Sequence, residues 1–163
     1  MISKIRHYVD EASLLKMYHS CFQSHIDYNL LNWSCTNKSF LKPIENKVKK
    51  AIRIISFSKT KYDHTAPLFK KQNILPFYDH IIFKKVLFMW KTAHGYSPPA
   101  INQLFTKNLR DNLKFVLPQP DKDHDKLLLV YSSITAWNSL NDSITSITIY
   151  SKFKNACKKY FSN

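Results

Sequence analysis

The sequence has one glycine, Gly95, in 163 residues. Loops that cradle phosphates or dinucleotides need several glycines, so that backbone N–H groups can approach the ligand. Neither loop can be built here. Cysteine is also scarce. Cys21, Cys35 and Cys157 are odd in number and widely spaced, with no C-x-x-C pair. That argues against a disulfide framework or a zinc knuckle and for reduced intracellular thiols. Acidic residues are outnumbered, 11 Asp plus Glu against 25 Lys plus Arg. No apolar run reaches membrane-spanning length, and Met1 to Glu11 has no apolar signal segment. Secretion and membrane insertion are therefore disfavoured, and a nuclear or cytoplasmic location is expected.

What is present is a core-forming, basic chain. Hydrophobic residues make up 44% and aromatics 14%, enough to bury a core, and the formal charge is +14. Such a charge repels itself in the compact state and is most simply matched by a polyanion, with nucleic acid the first candidate and an anionic membrane surface the second.

The periodicity predicts an all-α, or mostly α, fold. Leu14, Leu15, Tyr18, Cys21, Phe22 and Ile26 share one face of a helix over about Ala12 to Leu31, capped by Asp10 or Ser13. A second helix runs to roughly Ile55. Its Leu41, Ile44, Val48, Ala51, Ile52 and Ile55 lie within an arc of about 100°, and Pro43 falls near its first turn. A short helix begins at Thr65-Ala66-Pro67, and a longer one follows Pro76 and closes at Gly95. Pro98-Pro99 opens another short turn carrying Ile101, Leu104 and Phe105. Residues 106–126 read as a loop or linker between a helical region, 1–105, and a C-terminal segment, 127–163. In that last segment Lys126 to Tyr131 has the continuous apolar run of a short strand. A helix with Ile149, Phe153, Cys157 and Tyr160 on its inner side follows.

The basic residues carry the strongest functional signal. On the second helix Lys42, Lys49 and Arg53 project within about 40° of one another, opposite the apolar arc, with Lys47 and Lys50 beside them. Lys59, Lys61, Lys70 and Lys71 continue the series, and Lys84, Lys85 and Lys91 add to it on the long helix. A row of this kind can follow a phosphate backbone and would make binding steeply salt-dependent. A solvated helix face is the ordinary explanation for any one lysine; the excess over the whole chain favours nucleic-acid contact. Tyr62, Tyr78, Tyr96 and Tyr131 lie near cations, where base stacking is conceivable. Most Phe and Trp residues, including Trp33, Trp90 and Trp137, have core spacing instead.

Other patterns fall short of chemistry. Asp121, Asp123 and Asp125 alternate as at the start of a calcium loop, but that loop needs a glycine sixth and a glutamate twelfth, where this chain has Lys126 and Ser132. The seven histidines form no metal-binding or triad spacing, and His64 fits a turn before Thr65. Tyr8-Val9-Asp10-Glu11 is similar to the Tyr-x-Asp-Asp turn of reverse transcriptases. Two-metal phosphoryl transfer needs further carboxylates upstream, and only seven residues precede Tyr8. A helix–helix connection is expected there. No cofactor, metal or small-molecule substrate is expected, and the isolated chain is not expected to be an enzyme.

In order, the segments resemble the region after the palm in reverse transcriptases of non-LTR, jockey-like LINE retrotransposons. The resemblance begins with Leu15-Lys16-Met17-Tyr18-His19-Ser20, Ser24-His25-Ile26-Asp27-Tyr28 and Trp33. It continues with Lys49-Lys50-Ala51-Ile52-Arg53-Ile54-Ile55, His64-Thr65-Ala66-Pro67-Leu68-Phe69, Ile74-Leu75-Pro76-Phe77-Tyr78-Asp79 and Phe88-Met89-Trp90-Lys91. It closes with Tyr131, Trp137-Asn138-Ser139-Leu140 and Phe153-Lys154. Val48 stands where the family usually has Gln, Asn141 replaces a Pro, and Ser132-Ser133 replace a glycine-containing stretch. The resemblance implies a compact, helical, thumb-like region that grips template–primer nucleic acid, separated from the catalytic palm. On the charge of the helix faces, phosphate contact is expected through Lys42, Lys47, Lys49, Lys50, Arg53, Lys84 and Lys85, with Lys49, Lys50 and Arg53 foremost. The alternative is a helical protein-interaction or structural module with incidental charge.

Overall fold

A computed structural model describes residues 2–58, 60 and 63–162. α1 (Ile2–Ile5) and α2 (Glu11–Met17) are joined by the turn that holds Tyr8 and Asp10. The Tyr-x-Asp-Glu tetrapeptide is thus a helix–helix connection: Asp10 takes the N-cap position of α2, and Glu11 pairs with Lys71 Nζ at 2.8 Å. α2 passes into a π-helical stretch, Tyr18–Gln23, and then α3 (Ser24–Asp27). The predicted helix does not continue to Leu31. Tyr28 is extended and Asn29 is left-handed (φ 52°), a conformation Asn tolerates better than most residues, and together they turn the chain into α4 (Leu30–Trp33).

α5 (Lys38–Ile55), α6 (Ala66–Lys71) and α7 (Phe77–Ala93) follow, then the single turn α8 (Pro99–Asn102). After a long loop come a 3₁₀ turn (Asp123–Leu127), α9 (Leu129–Asn138), α10 (Asp142–Thr145) and α11 (Tyr150–Ser162). The described residues contain no strand; extended pairing is limited to one antiparallel bridge, Lys107 to Phe115. The molecule is an all-α bundle. α5 starts earlier than Pro43 suggests, so the proline lies in its second turn. Its ring faces solvent, where water can satisfy the carbonyl that lacks an N–H partner.

The predicted strand from Lys126 to Tyr131 is instead the end of the 3₁₀ turn and the start of α9. A lone strand would leave its backbone groups unpaired. As a helix, the same residues satisfy those groups internally and bring Ile134, Ala136 and Trp137 to the core. The loop 106–126 is more than a linker. The Trp137 indole N–H donates to the Leu113 carbonyl at 2.7 Å. Asn138 accepts from the Phe115 N–H at 3.1 Å and donates to the Phe115 carbonyl at 2.9 Å, and Phe115 itself is buried.

Among the described residues, two apolar clusters build the interior. The first gathers Leu14, Tyr18, Leu30, Val48, Ile52, Ile55 and Phe69 with Phe77 and Ile81 from the start of α7. The second gathers Phe83, Val86, Met89 and Trp90 from the rest of α7 with Phe105, Phe115, Ile134, Trp137, Phe153 and Cys157. α7 serves both, which is why buried apolar side chains lie on nearly all sides of it. On α11 Phe153 and Cys157 face inward as predicted. Ile149 precedes the helix and Tyr160 lies at its edge, both largely exposed. Trp90 and Trp137 are buried; Trp33 is half-buried, stacked on Phe77 with ring centroids 6.3 Å apart.

Helix ends show how the chain manages with one glycine. α7 closes in a Schellman motif: Tyr96 N–H reaches the Lys91 carbonyl at 2.8 Å and Gly95 N–H the Thr92 carbonyl at 3.2 Å, with Gly95 left-handed (φ 76°). The same pair of bonds closes α5 around Phe57 (φ 49°) and α6 around Asn73 (φ 53°).

Candidate nucleic-acid interface

α5 presents its cations in two groups. Glu45, on the same helix, is buried and draws in the Lys49 ammonium at 2.5 Å and the Lys42 ammonium at 3.1 Å. Burial works to raise the Glu45 pKa, but bonds from Lys49 and Lys42 outweigh it and hold the carboxyl below its ordinary value. Two of the predicted cations therefore share one carboxylate. Their spacing from it, i,i+3 and i,i+4, is the sequence signal for this pairing. Arg53 Nε donates to the Asp63 carbonyl at 3.0 Å, tying α5 to the loop that follows it.

Lys47 and Lys50 form the other group. Both are exposed and make no ion pair among the described residues. They stand at the rim of a groove of about 310 Å³ between α1, the π-helical stretch and α5, floored by Cys21, Phe22, Ala51 and Ile54. Cys21 was expected on the buried face. The wider π turn changes which side chains share a face, so Cys21 is exposed, while Tyr18 and Gln23, five apart, meet at 2.8 Å.

The long-helix lysines lie elsewhere. Lys84 Nζ donates to Asp27 Oδ2 at 2.6 Å. Lys85 leaves the predicted row altogether: it is buried, its Nζ donates to Ser132 Oγ at 2.7 Å, and burial lowers its pKa. Lys71 is held by Glu11, and Lys91 sits over the Tyr150 ring at 5.8 Å. Lys59, Lys61 and Tyr62 fall outside the described residues. Of the other tyrosines named as base-stacking candidates, Tyr78 and Tyr131 are half-buried, while Tyr96 is exposed beside Trp90.

A polar network that sequence reasoning missed links the π-helical stretch to α7. Asp27 Oδ1 accepts from Gln23 Nε2 at 2.9 Å and meets His80 Nε2 at 2.6 Å, while Oδ2 takes Lys84. Burial would raise the Asp27 pKa, but the His80, Lys84 and Gln23 bonds hold it well below the usual carboxylate range. Burial, then the Asp27 charge, raise the Tyr18 phenol above its ordinary value. The signal was the pair of i,i+4 polar couples, Gln23/Asp27 and His80/Lys84; only packing shows that they face each other.

The acidic triplet is dispersed into local contacts. Asp123 pairs with Lys126 at 2.8 Å, and Asp125 accepts from the Lys122 N–H at 2.9 Å. Among the described residues no group of three His, Cys, Asp or Glu is placed to hold a metal ion, and no helix is long and apolar enough to cross a membrane. Compared with known protein families, curated proteins and solved structures, the chain has no significant match.

Proposed function

We propose that this chain is a thumb-side segment of a retrotransposon-type reverse transcriptase that holds nucleic acid by its phosphate backbone and does not itself supply the polymerase carboxylates. The ordered run of family-like segments from Leu15 to Lys154 carries the reading. The charge of +14 and the free, exposed Lys47 and Lys50 support it. Contacts of this kind position a duplex without reading its bases.

Lys47 and Lys50 are the first choice for phosphate contact. Lys42 and Lys49, already sharing Glu45, come second, and buried Lys85 is assigned a packing role. Fluorescence anisotropy with an RNA–DNA hybrid should give a roughly micromolar dissociation constant at low salt that weakens steeply as salt rises. The double variant Lys47→Gln/Lys50→Gln should bind more weakly and reduce the logarithmic salt slope by about 2. Salt-independent binding, no binding, or an unchanged slope in the double variant would remove the proposal. A helical protein-interaction module is the competing reading, favoured by the exposed Tyr28 and Phe40, and absence of hybrid binding would leave it standing.

A further inference from the structure

An aromatic cleft lies at the end of α7, away from the α5 lysines. Its base is Trp90, which is buried and whose indole N–H donates to the Ile147 carbonyl at 2.8 Å. That bond pins the segment before α11 to α7, so Thr148, Ile149 and Tyr150 form one wall. The Gly95 turn forms the other: the Tyr96 N–H to Lys91 bond fixes the residue just beyond the helix end. The Tyr96 ring lies nearly parallel to the indole, 8° between planes and 5.7 Å between centroids, yet 72% of Tyr96 is exposed. Tyr150 meets Trp90 at 5.1 Å with a 53° tilt. The cleft holds about 570 Å³.

Its charge narrows what can occupy it. Lys91 lies on the rim, exposed and without an ion pair among the described residues, its Nζ over the Tyr150 ring. An aromatic cage for a cationic ligand would not carry a free ammonium. A second groove, about 360 Å³, shares Lys91 and Tyr150 and runs along α7 past Lys84. Its one acidic group, Asp27, is already occupied by Lys84 and His80. Planar aromatic surface beside a free cation suits a ligand with a flat π face and a negative charge.

We propose that the Trp90–Tyr96–Tyr150 cleft is a stacking site for an unpaired base of single-stranded nucleic acid, with Lys91 holding the adjoining phosphate. The base would stack on the open part of the Tyr96 ring, and the Lys84 groove would take the next nucleotide. The proposal rests on the nucleic-acid reading above for its choice of polymer, but it uses none of the α5 lysines.

The test compares a short oligouridylate with an abasic oligomer of the same length, using anisotropy competition. Both carry the same phosphates and only one carries bases. The intact strand should bind about tenfold more tightly, the scale of a single stacked base. Tyr96→Ala should abolish that preference, and Tyr96→Phe, which keeps the ring, should retain it. Far-UV circular dichroism confirms that each variant is folded, and Lys91→Gln should weaken both strands. Equal binding of the two strands by the wild type, or an unchanged preference in Tyr96→Ala, overturns the proposal. The RNA–DNA hybrid arm separates the two readings. Hybrid binding without base preference removes only the stacking site; base preference without hybrid binding removes the duplex-holding function proposed above and leaves the stacking site standing.

Discussion

A left-handed backbone costs a residue with a side chain about 1–2 kcal/mol. This chain reaches that conformation at Asn29, Phe57, Asn73 and Gly95. Only the last was legible beforehand, because glycine announces itself and an aromatic residue such as Phe57 does not. A Cβ added at Gly95 would meet no atom within 4 Å, so any cost of adding one comes from the backbone alone. Gly95→Ala should therefore lower unfolding stability by about 1–2 kcal/mol in urea denaturation. A neutral result would show that the α7 cap does not need the left-handed turn. The same scale decides which lysines are free. Lys42 and Lys49 look identical to Lys47 and Lys50 in composition, yet Glu45 lies within reach of only the first pair.

At the scale of elements, the helices α6 and α7 lie where local apolar spacing indicated, whereas α5 begins earlier, at Lys38, and α11 begins after Ile149 and leaves Tyr160 exposed. The misread elements are those whose local pattern is ambiguous. The short apolar run from Leu127 to Val130 suits a strand or a buried helix equally, and no periodicity distinguishes them in so few residues. The π-helical stretch carries no sequence mark, so the outward turn of Cys21 could not be anticipated. The 106–126 loop looked like a boundary because it is polar and contains prolines. Its attachment draws on Trp137, which holds the Leu113 carbonyl, and on Asn138, which satisfies both backbone groups of buried Phe115. Asn138→Ala should cost about 1–3 kcal/mol by leaving those groups unpaired. Limited proteolysis should show faster cleavage within 106–126; unchanged cleavage would mean that Trp137 and Phe115 suffice to hold the loop.

Across the whole molecule, α7 joins two apolar clusters that would otherwise be separate. Loss of either cluster removes packing from the same helix, so the molecule should unfold as one unit. Ile52 is fully buried in the first cluster. Ile52→Ala should destabilise by about 2–5 kcal/mol. The transition should stay coincident by circular dichroism and by tryptophan fluorescence, with Trp33 packed on the first cluster and Trp90 and Trp137 in the second. Separated transitions would show that α7 does not couple them. By itself the sequence determined a mostly helical fold, a glycine-closed long helix and a strong positive charge, because each is a local property or a sum over residues. Tertiary structure alone decided that Lys84 meets Asp27, that Lys85 is buried against Ser132, and that Tyr96 lies over Trp90. Those contacts join residues on different elements or across a helix end, and helical periodicity sets a face without saying what will pack on it.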